Sequence, residues 1–186
     1  MDAQESEATR LAALQNILTP EILSRSGAFP LVPSSHPLQV ENIRLRELFW
    51  YLPEPPRAHY LAQVYFTLAA WMSVYYFTII RILTAPIRYN PISEQDFFEE
   101  VYPLFYAPDA APPSDDPLLS HKLSLMFMVL AIGSLVDMKN LAYNLEAEKY
   151  HQLARASIFQ STLFEDPTIS AIQTLASTHL IAATRY

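Results

Sequence analysis

Glu148 and His151 stand three apart in the run Glu148-Lys149-Tyr150-His151, a spacing that puts a carboxylate and an imidazole on one helix face. Di-iron centres in helical bundles use this pair, but each needs a second copy of it and two more glutamates from other helices. The chain has no second copy, so the pair reads as part of an ordinary amphipathic helix. A helical enzyme using Glu148 and His151 is the third-ranked reading, and stoichiometric iron or zinc in purified protein is its test. The other histidines, His36, His59, His121 and His179, are scattered with no His-x-x-x-His spacing, so no zinc ligand set is indicated. Glu99-Glu100 and Asp115-Asp116 are paired acids on a short helix and beside a helix start, where solvation and capping are their expected roles. No catalytic residue and no metal ligand is assigned, and the chain is not expected to be an enzyme.

Composition narrows the classes further. The 186 residues suit one domain with a buried core. There are no cysteines and only two glycines, Gly27 and Gly133. Disulfides, thiolate zinc sites, cysteine nucleophiles and Gly-rich phosphate loops are all excluded by those counts. The formal charge is −7, and residues 1–117 hold 14 acids against 7 Lys/Arg while 118–186 hold 5 against 5. A surface of that sign repels phosphate backbones. The N-terminal run MDAQESEATR is acidic and lacks an apolar stretch, so it does not read as a secretory signal. A cytosolic or nuclear address is the expectation.

The elements follow from periodicity and punctuation. Leu11, Leu14 and Leu18 share heptad spacing over one repeat, too little for a coiled coil; a frayed terminal helix is expected. Seven prolines between Pro20 and Pro56 mark 19–57 as a linker, with a short helix inside Val40–Tyr51 docking Leu48, Phe49 and Trp50. Leu61, Val64, Leu68 and Trp71 or Met72 form the stripe of a core helix. Ser93-Glu94-Gln95-Asp96 is a loose capping box for a short helix with Phe97, Phe98, Val101 and Tyr102 on one face, ended by Pro103. Fourteen of fifteen prolines precede residue 118, so long helices belong to the last third. Asp116-Pro117 and Asp166-Pro167 are read as N-cap and first-turn devices for two of them. Leu123–Val136 is uncharged and suits a buried helix, within which Gly133 costs about 1 kcal/mol of propensity and marks a close helix crossing. Leu141–Leu163 is amphipathic, with Leu145, Tyr150, Leu153, Ala154 and Ile158 inward and Glu146, Lys149, Gln152 and Arg155 outward. Ile169, Ile172, Leu175, Leu180 and Ala183 are the expected buried stripe of the last helix.

Several of these strings together resemble a known family. They are Ala131-Ile132-Gly133-Ser134-Leu135, Asn144-x-Glu146-Ala147-Glu148-x-Tyr150, Leu153-Ala154-Arg155-Ala156 and Glu165-Asp166-Pro167-x-Ile169-x-x-Ile172-Gln173. Upstream stand Leu52-Pro53, Tyr65-Phe66, Trp71-Met72, Tyr89-Asn90-Pro91-Ile92 and Phe97. Spread over about 100 of the 186 residues, they resemble the regulatory middle domain of fungal zinc-cluster transcription factors. The resemblance implies regulation of transcription in the nucleus. It also implies partners in the transcription machinery, a second copy of the protein and a small-molecule effector. DNA and zinc would be bound through a six-cysteine cluster that this chain does not carry, so no cofactor is expected here. In the family pattern Trp-Met runs almost directly into Tyr-Asn-Pro-Ile, whereas 16 residues, 73–88, separate Met72 from Tyr89; they are read as an insert or retained intron.

The expected fold is therefore all-α. It is an irregular bundle with antiparallel helix pairs, incomplete at the C-terminus, with an N-terminal helix and Pro-rich linker over 1–51 and the partial regulatory domain over 52–186. Two other readings compete with it. The uncharged run Leu61–Ile80 is long enough for a single membrane span, although no membrane partner is expected. The chain also fits a gene-model fragment without activity of its own.

Overall fold

The computed structural model describes residue 9 and residues 12–27, 45–69, 92–107, 117–139, 144–158 and 168–183. Among these the chain is all-α, with no strand. The α-helices are α1 (Pro20–Gly27), α2 (Leu45–Phe49), α3 (Pro55–Val64), α4 (Glu94–Asp96), α5 (Pro103–Tyr106), α6 (Pro117–Val136), α7 (Leu145–Ile158) and α8 (Ile169–Ala183). Two π-helical turns interrupt them, π1 (Tyr65–Ala69) continuing α3 and π2 (Phe97–Val101) between α4 and α5.

Helix α6 is the axis of the bundle. Every residue from Leu123 to Ser134 is buried, which is why the segment has no polar stripe: a helix covered on all sides is apolar all round. It is the described helix long and apolar enough to cross a membrane, and most of it lies inside the bundle. Helix α7 packs most extensively on it, then α8, with α3 and π1 alongside. Contacts between α6 and α7 run in opposite chain order, from Ser124 with Ala154, through Phe127 with Tyr150, to Ser134 with Glu146, so this pair is antiparallel. Gly133 sits where α6 crosses α3. A Cβ there would overlap the Leu61 carbonyl oxygen and lie 2.9 Å from its carbonyl carbon. The crossing thus brings two helix backbones together.

Parts of the expected linker and terminus belong to the core. Leu14, Leu18 and Ile22 are all buried in it, and α1 packs on α7, so residues 14–22 are part of the packed core; residues 1–8, 10 and 11 lie outside the described set. Thr19 and Pro20 supply the start signals: the Thr19 carbonyl accepts from the Leu23 N–H at 3.1 Å, and Pro20 needs no partner at the first helical position. In α2, Leu48 is fully buried, but Trp50 is 78% exposed and does not dock. Residues 28–44 lie outside the described set.

The run 61–80 is described only to Ala69. That part packs against α6, with Leu61, Ala62, Tyr65 and Ala69 buried. The buried stripe is shifted from the expected one, since Val64 and Leu68 are half-buried. The insert, 73–88, lies outside the described residues. Ser93 caps as expected, its Oγ accepting from the Asp96 N–H at 3.3 Å. Pro103 does not end the helical path. It opens α5, because a first-turn residue has no intrahelical N–H bond to lose. Tyr102 and Tyr106 then donate to the carbonyls of Pro55 at 3.1 Å and Pro53 at 2.9 Å, fastening π2 and α5 to the start of α3.

Helix α8 departs most from expectation. Its N-cap is Thr168, whose Oγ1 accepts from the Ala171 N–H at 3.1 Å and lies 2.9 Å from His121 Nδ1; Asp166 and Pro167 are outside the described residues. The buried side is Ala171, Thr174, Ser177 and Ile181, while Ile169 and Ile172 are exposed. Thr168→Ala is expected to cost about 1–2 kcal/mol by removing the cap and the bond to buried His121. Urea denaturation reads this as a lower midpoint at unchanged slope.

Candidate functional site

Three helix ends meet where α6 stops, α7 starts and α3 starts. Asn144 begins the site as N-cap of α7: its Oδ1 accepts from the N–H groups of Glu146 at 3.0 Å and Ala147 at 3.3 Å. Its amide nitrogen lies 2.6 Å from both the carbonyl and the Oγ of Ser134, so one side chain starts α7 and ties it to the end of α6. Glu146, in the first turn of α7, is favoured there by the helix dipole. Its carboxylate accepts from Ser134 Oγ at 3.1 Å and Tyr150 OH at 3.3 Å.

Arg57 completes the junction. It stands in the first turn of α3 behind Pro55 and Pro56, an unfavourable place for a cation on dipole grounds. Two carboxylates offset that. Its Nε and Nη2 reach Glu146 Oε1 at 3.3 Å and Oε2 at 2.5 Å, a bidentate pair. Nη1 lies 3.8 Å from Asp137 Oδ2. Asp137, just beyond α6 and buried, accepts at Oδ1 from Tyr60 OH and the Lys139 N–H, both at 3.1 Å. Arg57 and Lys139 also lie over the Tyr60 ring, at 5.4 Å and 4.8 Å from its centroid. Burial pushes the Glu146 pKa up, but the hydrogen bonds and charge of Arg57 outweigh it and hold the carboxyl below its ordinary range. The Glu146 hydrogen bond raises the Arg57 pKa in turn. Burial lifts the Tyr150 hydroxyl well above its usual range and lowers Lys149, whose Nζ lies 4.9 Å over the Tyr150 ring.

Chemically this is a clamp. Each carboxylate is engaged by an arginine and by hydroxyl or amide donors, which suits holding helix ends and not moving protons. Glu148 and His151 do share a face: Oε1 to Nδ1 is 3.9 Å. The same Glu148 oxygen accepts from Gln152 at 2.6 Å. Among the described residues no group of three or more His, Asp or Glu side chains could hold a metal ion. His121 is buried beside Thr168, and His59 is exposed with its ring against Phe98 and Tyr102. Glu99 and Glu100 are exposed on π2. His36, Asp115, Asp116 and the side chain of His179 are outside the described residues. No family model, curated protein or solved structure matches this chain.

Sequence reasoning missed the junction. It put Arg57 in a linker and Glu146 on an outward face, and gave Asp137 no role. Two signals pointed to it. Arg57 opens a helix whose dipole disfavours it, and Asp137 ends a long uncharged run. Both charges call for a partner brought from elsewhere in the chain.

Proposed function

We propose that this chain is a regulatory, protein-contacting domain of a fungal zinc-cluster transcription factor and carries no chemistry of its own. One observation supports the reading above others. Ser134, Asn144, Glu146 and Tyr150, all among the residues that carry the resemblance, bond to one another in a single network. Residues matched as a string thus do one physical job, fixing the α6–α7 junction. On this reading the domain works in the nucleus through the transcription machinery, with a small metabolite as effector. Zinc and DNA contact belong to the cysteine cluster of intact family members. The test is cell fractionation with genomic sequencing: the protein is expected in the nuclear fraction, with an in-frame six-cysteine cluster upstream of Met1. Recovery in the membrane pellet would instead favour a span near 61–80.

The insert has its own test. Phe66 in π1 lies 5.5 Å, ring to ring, from Phe97 in π2. Removing 73–88 would leave six residues between Ala69 and Ile92, an ordinary connection length. The shortened chain is expected to keep its helical circular dichroism and melt no lower than the full chain; loss of the cooperative melt would show 73–88 to be part of the fold. Transcript reads joining the codons for Met72 and Tyr89 would identify the segment as a retained intron.

A further inference from the structure

Lys149 is a cation that the clamp leaves unused. Expected on an outward face, it is half-buried, and its Nζ lies 4.9 Å over the Tyr150 ring and 6.0 Å over the Tyr51 ring. Both rings are held in place. Tyr150 stacks on Phe127 with centroids 6.2 Å apart and donates to Glu146 at 3.3 Å, while Tyr51, just beyond α2, packs on the core. Among the described residues the Lys149 amine has no ion pair and no hydrogen bond. The acids near it are committed elsewhere. Glu146, one turn back, is engaged by Arg57, Ser134 and Tyr150, and Glu148 accepts from Gln152 at 2.6 Å. On α2, Arg46 and Glu47 are exposed. Leu145 and Leu153 stand four residues to either side of Lys149. The amine thus lies against two aromatic rings, partly out of water and without a counter-ion.

We propose that Lys149 is a modification site, its free amine accepting an acyl group directly from a thioester of the acyl-coenzyme A class. An ordinary lysine is nearly inert at neutral pH, because only about one in a thousand is unprotonated. Two effects act on that fraction here in opposite senses. The ring faces attract the ammonium, and removal from water disfavours it. Burial prevails and lowers the Lys149 pKa against the pull of Glu146, and an amine desolvated in this way is an activated nucleophile. The nitrogen lone pair attacks the thioester carbonyl carbon. A C–N bond forms, the C–S bond breaks, and the thiolate leaves while the nitrogen gives its proton to solvent. The product is a neutral amide, which costs less to keep out of water than the ammonium it replaces. Lys122, Lys139 and Lys149 are the chain's lysines. Lys139 also lies over a ring, that of Tyr60 at 4.8 Å, but it is exposed, so it is the internal reference: a ring contact without the burial. Acylation consumes the residue once per chain. The inference rests on the surroundings of Lys149 and not on the transcriptional reading, which an unreactive Lys149 would leave standing.

The test is to incubate the full chain with isotope-labelled acetyl-coenzyme A and to read the label at each lysine, at early times, by peptide mapping. Near neutral pH Lys149 should be acetylated at least about tenfold faster than Lys139, and the advantage should shrink as pH rises and Lys139 loses its own proton. In concentrated urea the two should react alike, because the rings and the burial are gone. Labelling of Lys149 no faster than Lys139 in the folded chain overturns the proposal. So does an advantage that persists in urea, which would assign the effect to neighbouring sequence and not to the fold. An advantage that does not change with pH overturns it as well, since access and not the free amine would then set the rate.

Discussion

Gly133→Ala is expected to lower the melting temperature by roughly 4–8 °C, equivalent to about 2 kcal/mol for a domain of this size. Alanine is the better helix former by about 1 kcal/mol, so at an open helical position the substitution would stabilise. Here the added methyl meets the backbone of α3 at Leu61, its carbonyl oxygen first. A side chain could swing aside, but a carbonyl inside a helix cannot. The two helices must separate, and α6 is the axis on which α3, π1, α7 and α8 all pack. Overpacking of this kind costs about 1–3 kcal/mol, and the upper end applies where the obstructing atoms are backbone. Gly27→Ala is the internal control: a Cβ there meets nothing within 4 Å, so its melt should match or slightly exceed that of the unaltered chain. Thermal circular dichroism on both variants reads the difference, and equal melting temperatures would mean that α3 and α6 do not cross at Gly133.

The crossing was legible because glycine in an uncharged helical run costs propensity and needs a reason. The same logic made α6 legible, since a run of 14 uncharged residues in a charge-poor chain has few places to go but the core. The Ser93 cap and the inward face of α7 were legible too, from residue type and spacing alone. The legible part ends where the outcome depends on elements distant in sequence. Helix α8 carries apolar residues on two sides, and periodicity favoured the larger ones; Ile169 and Ile172 were assigned inward although the small Ala171, Thr174 and Ser177 let α8 come closer to its neighbours. Helix α1 has its start signals in Thr19 and Pro20, but proline density marked the region as linker. The junction at Arg57 was the least visible, because Arg57 and Glu146 are 89 residues apart and neither says which opposite charge it will meet.

Glu146→Ala should be the costliest single change at that junction, about 2–3 kcal/mol at neutral pH. The carboxylate accepts from Arg57 twice, from buried Ser134 and from Tyr150, and each donor left without it bears a desolvation cost. Arg57 is about one-third exposed and keeps Asp137 at 3.8 Å, so water and the second acid limit the loss. Glu146→Gln, which retains the shape and some of the bonding, should cost about 1 kcal/mol. The pH dependence separates charge from shape. The folded-state pKa of Glu146 lies below its ordinary value of 4.5, because Arg57 and the hydroxyl donors outweigh burial. Its contribution is therefore complete above that ordinary value and drains away as pH falls through the lower folded one. Urea midpoints of the unaltered chain and Glu146→Gln should differ most at neutral pH and converge in acid. A gap that persists unchanged to acid pH would assign the effect to packing and remove the charge from the account. The double variant Arg57→Met/Glu146→Leu carries the argument one step further. If the pair serves to fix the helix ends, the double variant should cost less than its two single changes summed, even though buried Asp137 then keeps only Tyr60 and the Lys139 N–H, and a double-mutant cycle should return a coupling of about 1–2 kcal/mol.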